Sequence, residues 1–409
     1  MTQAELRAFP PQNTGLVHTG FFLPRQRWYF TGRATKLVEF YTAINRGYGS
    51  LDILDAFLTY RYDERLRFRI GRMKTPYLYE YYQISEGDLI APERSLYAGN
   101  LAGNRQIGGM FLGELFENRL GYAVGAFNGP RRSFEDTNRS KDIYAFVNTR
   151  PFLKPQDAET VRGAQGTGGR TRPNQAIGSD EAESAEPGPF EHLNLGGSFN
   201  AGYEQNSLQP NAFRTANDQT TAVAAASLSP TFLTFNKNVV ELGERAQWAG
   251  HAAWYYRSFF LMAEYGGGFQ GYALGSARTS SRIPFEGYMV QASYFLTGER
   301  LTRRVNVVKP LRPFQIKNGA LSGIGAVEVH ARYSDLNVGK NVFSGGFADP
   351  NLWTNQAYAV DVGVNWYLNF YTKIYLDWQH VGYGNPVVSQ PGGFTRSNDL
   401  FWLRFQVFF

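Results

Sequence analysis

Three arginines at alternate positions are the sharpest chemical feature of the chain. Arg65, Arg67 and Arg69 interleave with Leu66, Phe68 and Ile70. In an extended strand, alternate side chains share one face at a spacing of about 7 Å. Such a row stays charged at every ordinary pH and offers planar forks that suit phosphate or carboxylate. It can hand an anion from one site to the next, each attractive and none deep. Arg61 extends the row from the preceding segment. By the same alternation Arg332, Lys373 and Arg404 fall on the polar face of their segments, but so do Asp55, Glu264, Glu328, Asp361 and Asp377. Two readings of the row stay open: it selects anions, or it solvates a wide wall and pairs with neighbouring acids.

Other chemistries find little footing. Cysteine is absent, which excludes a disulfide scaffold, thiolate–metal sites and thiol catalysis. The five histidines, His18, His192, His251, His330 and His380, show no metal-ligand spacing. The glycine runs Gly266–Gly268 and Gly345–Gly346 lack the strand–loop–helix setting of a phosphate cradle. No Ser–His–Asp constellation is legible. Basic residues are spread along the chain, which argues against a nucleic-acid face. No cofactor, no metal and no enzymatic activity are expected.

The elements that must position these residues follow from period two. Leu51–Tyr62 places Leu54, Ala56, Leu58, Tyr60 and Tyr62 on one face and Asp55, Thr59 and Arg61 on the other. Leu120–Asn128, Tyr288–Leu296 and Tyr358–Trp366 alternate in the same way. One apolar and one polar face per strand, often ending in Tyr or Trp, suits a sheet between lipid and water. The composition agrees. The 409 residues hold 7 Trp, 25 Tyr, 32 Phe and 44 Gly. Mean hydropathy is negative, and no apolar run approaches the roughly 18 residues of a spanning helix. Lys and Arg number 41 against 35 Asp and Glu, a net +6.

Short turns (Tyr62–Arg65, Leu115–Asn118, Tyr255–Ser258) alternate with longer polar loops. Fourteen strands are expected between residues 34 and 409. A hairpin of Gly15–Phe22 with Arg25–Thr31 brings the number to sixteen; Thr220–Ser227 with Thr231–Asn236 would give eighteen. The expected fold is all-β: a transmembrane antiparallel β-barrel of sixteen strands, eighteen being the alternative. Residues 1–14 read as an N-terminal extension without signal-peptide features, a removed leader being assumed, and 15–409 as the single barrel. By parity, the low-complexity insertion 155–189 and the basic stretch Glu299–Leu321 lie on the periplasmic side, the latter as a solvated turn.

The last segment, Phe401–Phe409, puts Phe401, Leu403, Phe405, Val407 and Phe409 on one face. A closing strand of this kind suits handover to a barrel assembly machinery, since closure removes a free edge. Five further motifs resemble the phosphate-selective porin O/P family of bacterial outer membranes. Arg69–Glu80 (RIGRMKTPYLYE) resembles its Gly-x-x-Lys-Thr-Pro motif, and Glu93-Arg94-Ser95-Leu96 its Glu-Arg-Ser-Leu. Phe127-Asn128-Gly129, Phe295–Glu299 and Gly325–Leu336 resemble later signatures, in the family order.

The resemblance implies a trimeric, sixteen-stranded outer-membrane porin for small anions, with one loop folded inward. Thr75–Asn104 is the candidate for that loop. It is aromatic and too apolar to stand in water, with Tyr77, Tyr79, Tyr81 and Tyr82 on the wall and Glu86, Asp88, Glu93 and Arg94 near the narrowest point. The expected partners are outer-membrane lipid, small anions such as phosphate, the assembly machinery and two further copies of the chain. An outer-membrane anchored enzyme or adhesin, and a soluble β-rich binding protein, are the alternatives.

Overall fold

The computed structural model describes residues 1–9, 19–48, 50–129, 136, 139–154, 188–216, 229–275, 279–304, 308–317, 319–390 and 393–408. The chain opens with β1 (Thr2–Ala8), β2 (Gly20–Arg33), β3 (Val38–Gly47), β4 (Ser50–Asp63) and β5 (Leu66–Lys74). A long loop with α1 (Tyr79–Tyr82) and α2 (Leu96–Leu101) follows. Then come β6 (Arg105–Leu115), β7 (Leu120–Phe127), β8 (Asp142–Thr149) and β9 (His192–Leu208). The hairpin of β10 (Phe213–Arg214) and β11 (Thr231–Leu233) precedes β12 (Val239–Tyr256), β13 (Phe259–Leu274) and β14 (Ser281–Phe295). A second hairpin, β15 (Gln315–Lys317) and β16 (Ala320–Gly323), leads to β17 (Ala326–Val338) and α3 (Asn341–Ser344). β18 (Gln356–Tyr367), β19 (Thr372–Gln390) and β20 (Gly393–Val407) finish the chain.

Sixteen of these strands form one closed antiparallel barrel, each paired with its neighbour in sequence, and the two hairpins stand outside it. The alternation explains the closure. Leu66, Ile70 and Phe111 are about half exposed on the outside, while Arg67, Arg69 and Met110 are buried inside. One apolar face per strand points outward and the ladder leaves no edge, the arrangement a bilayer would require.

Three expectations are corrected. Residues 1–14 are not an extension: Thr2–Ala8 is a barrel strand, in register with β20 from Thr2↔Val407 to Ala8↔Phe401. Its pattern is legible, with Gln3, Glu5 and Arg7 buried and Ala4 exposed, but its outward residues are small and raise little hydropathy. The sixteenth pair is therefore β1 with one long β2, rather than the hairpin Gly15–Phe22 with Arg25–Thr31. Within β4 a bulge shifts the register between Ala43↔Asp55 and Ile44↔Ile53, so Leu54 points inward beside Asp55, both buried. Of the eighteen-strand alternative, 217–228 lies outside the described residues, and Thr231–Leu233 belongs to the small hairpin. Phe409 and 155–187 also lie outside them.

Candidate functional site

The loop between β5 and β6 folds into the lumen, and its base shows why it turns inward. Gly71 has φ +130°, and a Cβ there would lie 2.3 Å from the Ala56 carbonyl oxygen, so only glycine lets β5 approach β4 at this level. Lys74 Nζ donates to the Tyr81 carbonyl at 3.1 Å. The Thr75 N–H and hydroxyl both donate to the Asn104 carbonyl, each at 3.0 Å, and pinch the two ends of the loop together. The chain then runs inward to the wall of β8 to β13. The Leu78 N–H donates to Ser198 Oγ at 3.1 Å, and the Tyr79 N–H to Glu264 at 2.5 Å. Aromatic contacts hold this arm. Tyr79 lies 4.6 Å from His251, Tyr82 5.1 Å from Phe146, and Tyr77 6.4 Å from Tyr144.

From Glu86 to Arg94 the loop runs as a strap along β17–β20, and donors from the wall, with Arg304 from the β14–β15 connection, take up its carbonyls in turn. Gly87 accepts from Tyr375 at 3.3 Å and Gln406 at 3.1 Å. Asp88 accepts from Arg304 at 3.2 Å, Leu89 from Lys373 at 2.9 Å and Ile90 from Asn365 at 2.8 Å. Pro92 accepts from Arg404, and Glu93 from Arg332 at 2.9 Å. A buried carbonyl without a donor is costly, so the wall fixes the strap one peptide at a time.

The loop carboxylates meet cations. Glu93 pairs with Arg25 at 2.5 Å and with Arg404 at 2.6 Å. Glu86 lies 2.8 Å from Arg27, 3.4 Å from Arg94, and 3.7 Å from both Lys74 and Arg105. Burial pushes both carboxyls upward, but the cations outweigh it: Glu86 is held well below the ordinary range, and Glu93 is lowered to about 2. Glu80 accepts from Ser95 Oγ at 2.5 Å and pairs with Arg332 at 3.4 Å. Arg94 also donates to the Ile84 carbonyl at 2.9 Å, and Ser95 caps α2 by accepting from the Ala98 N–H at 3.1 Å. The Glu93–Leu96 motif is thus a fastening: two wall contacts, a loop brace and a helix cap.

All six expected loop residues, Tyr77, Tyr79, Glu86, Asp88, Glu93 and Arg94, are buried inside the barrel. The expected cations separate into three groups. Arg332, Lys373 and Arg404 face inward, but they hold the strap, and Arg332 and Arg404 also pair with Asp361 and Glu5. Arg67 and Arg69 face inward from β5; in the barrel order β17 is the eighth neighbour of β5 among sixteen strands, directly opposite. Arg69 donates from Nε to Thr59 Oγ1 at 3.1 Å and lies 4.3 Å over the Phe57 ring. Among the described residues no carboxylate reaches it, and its Nη2 is buried without a hydrogen-bond acceptor. Arg61 and Arg65 form the third group, at the barrel end. Arg61 pairs with Glu39 at 3.1 Å and with Glu64.

Arg65 is not in the row. Asp63↔Leu66 is the last pair of the hairpin, so Glu64 and Arg65 make its two-residue turn. There Arg65 pairs with Asp63 at 3.0 Å, its side chain 72% exposed.

Several functional side chains were not anticipated. Arg25 and Arg27 alternate in Arg25-Gln26-Arg27-Trp28, a signal of the same kind as the Arg67–Arg69 pair. Arg105 pairs with Asp55 at 3.1 Å, and Arg245 with Asp142 at 2.8 Å. Arg304 belongs to the basic stretch read as a solvated turn, and without strand periodicity in its segment nothing marked it as inward-facing.

The family model described as phosphate-selective porin O and P matches residues 3–409. No curated protein matches the chain. Solved structures share its fold. An anion-selective porin from Comamonas acidovorans aligns with TM-score 0.51 at 10% identity, over 100% of this chain and 97% of that one. The trimer form of OmpT from Vibrio cholerae aligns with TM-score 0.51 at 8% identity, over 100% and 97%. The channel DcaP of Acinetobacter baumannii aligns with TM-score 0.50 at 9% identity, over 100% and 94%.

Proposed function

The chain belongs to the phosphate-selective porin O and P family, and on that premise we propose that it passes small anions, phosphate among them, by passive diffusion. Its general role is that of an outer-membrane porin. The pore performs no covalent chemistry and needs no cofactor; width and field alone decide what passes.

One observation carries the anion preference. The β5 wall presents Arg67 and Arg69, and among the described residues no carboxylate pairs with Arg69, while the cations opposite are held by the loop. A buried guanidinium with an unused N–H attracts an anion more strongly than one already paired. The test is the reversal potential of the purified protein in a salt gradient, compared with Arg67→Gln/Arg69→Gln. Wall charge acts over roughly a Debye length, about 8 Å at physiological salt. Anion preference should fall clearly in the double variant at low salt and much less at high salt. An unchanged reversal potential at low salt would reduce the two arginines to wall solvation.

The working unit in this reading is a homotrimer whose termini and short turns face the periplasm. An uneven aromatic girdle supports a protein-covered side. From about the middle of their strands toward the end opposite the termini, Trp248, Tyr265, Tyr288, Tyr358 and Trp378 are exposed on the outside of β12–β19. The corresponding outward positions of β3–β8 are Ile44, Ile53, Ile70, Gly109, Ala126 and Ile143. Girdle aromatics mark the lipid–water boundary, so the arc without them is assigned to a second copy. The mass of the detergent-solubilised protein tests this, and a monomer would refute it.

A further inference from the structure

The connection from β14 to β17 is solvated over much of 309–322, as its basic residues suggest, but its start is not: Leu301 and Arg304 are buried. It bends at Gly298, whose φ of +92° favours glycine, and its first residues enter the lumen from the terminal end. The Leu301 N–H donates to the Arg257 carbonyl at 2.8 Å, and the Leu301 side chain is buried in the barrel's apolar cluster. Arg304 is 3% exposed. Its guanidinium donates to Ser293 Oγ at 2.6 Å, to the Asp88 carbonyl at 3.2 Å and to Glu328, and lies 4.6 Å over the Phe260 ring. Glu328 is steadied from its other side by Asn365 at 3.0 Å and Tyr367 at 2.9 Å.

Two segments from opposite mouths therefore meet at one guanidinium. The loop 75–104 descends from one end, the 299–304 segment rises from the other, and Arg304 ties both to the wall on β14 and β17. We propose that Arg304 is a latch, holding the 299–304 segment inside the lumen as a second constriction and so setting the width and charge of the terminal-side mouth. The proposal rests on the pore reading given above. Arg304 acts twice. It takes up a loop carbonyl, and it cancels Glu328, which alone would place a buried negative charge in the path of an anion. Gly298 supplies the bend about which the segment can withdraw once the guanidinium is gone.

The test uses the full-length protein reconstituted in bilayers, with two readouts. The chain has no cysteine, so Leu301→Cys provides a single thiol for a membrane-impermeant, water-soluble thiol reagent. With Arg304 present the thiol should label slowly. With Arg304→Gln it should label at least about tenfold faster, on the scale of one lost charge-assisted hydrogen bond. Single-channel conductance should rise in the same variant and its anion preference should fall. In Arg304→Gln/Glu328→Gln the anion preference should return while conductance stays high, because charge balance is restored but the segment remains free. Should Arg304→Gln not assemble, Arg304→Lys keeps the charge with fewer donors and should label at an intermediate rate. Unchanged labelling and conductance would overturn the latch. If neither parent nor variant conducts, the pore reading fails, and the labelling rates still decide whether Arg304 holds the segment.

Discussion

The walls at β5 and at β17–β20 face each other across one lumen, and both present buried cations to it. They do different work. On β17–β20, Arg332, Lys373 and Arg404 donate to loop carbonyls, and the two arginines pair with Glu80, Glu93, Asp361 and Glu5, although Arg332 Nη2 is left without an acceptor. On β5, Arg69 ends on a threonine hydroxyl and an aromatic face. An inward cation is therefore not yet a pore cation. What separates the two is whether a neighbouring segment brings acceptors to the guanidinium. On one side a strap and its carboxylates do so; on the other, among the described residues, no carboxylate pairs with Arg69.

The sharpest way to break this contrast is to remove a cation from each wall and follow folding. Arg404→Ala leaves Glu5 and Glu93 buried beside a lost partner, a change that typically costs about 3–5 kcal/mol. A markedly lower unfolding temperature is expected, read from the heat-modified mobility of the barrel on gels. Arg69→Gln removes no ion pair and should unfold close to the parent. Equal destabilisation by the two would erase the distinction between the walls.

Acid offers a gentler probe. The Glu93 carboxyl is lowered to about 2 and Glu86 is held below the ordinary range. A carboxyl depressed in the folded state adds stability that is complete above its unfolded pKa, near 4.3, and is lost as pH falls through the folded value. The strap should thus stay fastened at neutral pH and loosen between about pH 4 and 2. Melting temperature measured against pH should fall more steeply there for the parent than for Glu93→Gln. Parallel curves would mean that the strap draws nothing from these pairs.

The smallest effect is expected at Arg65. Its side chain sits in an exposed turn beside Asp63, so Arg65→Gln should leave both the reversal potential and the melting temperature unchanged. A shift in reversal potential comparable to that of Arg69→Gln would restore the three-membered row that the spacing suggests.

Much of the architecture was legible because a bilayer-spanning barrel writes its inside and outside into alternate residues. The fourteen strands from residue 34 onward and the sixteen-strand closure could be read that way. Thr2–Ala8 escaped because Ala4, Leu6 and Ala8 carry too little apolar mass to look like a lipid face. Leu54 was misplaced because a bulge flips the parity, and periodicity cannot register an extra residue. Arg65 was placed in the row because alternation does not say where a strand stops and its turn begins. The loop residues were identifiable from their motifs, yet their partners were not. Contacts such as Lys373 with the Leu89 carbonyl join residues 284 apart in sequence. Arg304 was hidden for the same reason, since only folding brings it to Asp88 and Glu328.

The strap is recognised mainly through its peptide groups, and that gives the loop an address independent of its own side chains. Gly87, Leu89 and Ile90 are gripped by Tyr375, Gln406, Lys373 and Asn365 through main-chain oxygens that any residue at those positions would supply. The wall therefore works as a mould and the loop as a casting. The route of the chain is thus set by the wall's donors more than by the side chains of Leu89 and Ile90. Each gripping residue on β18–β20, in contrast, fixes a point on that route, so exchanging one moves the casting itself.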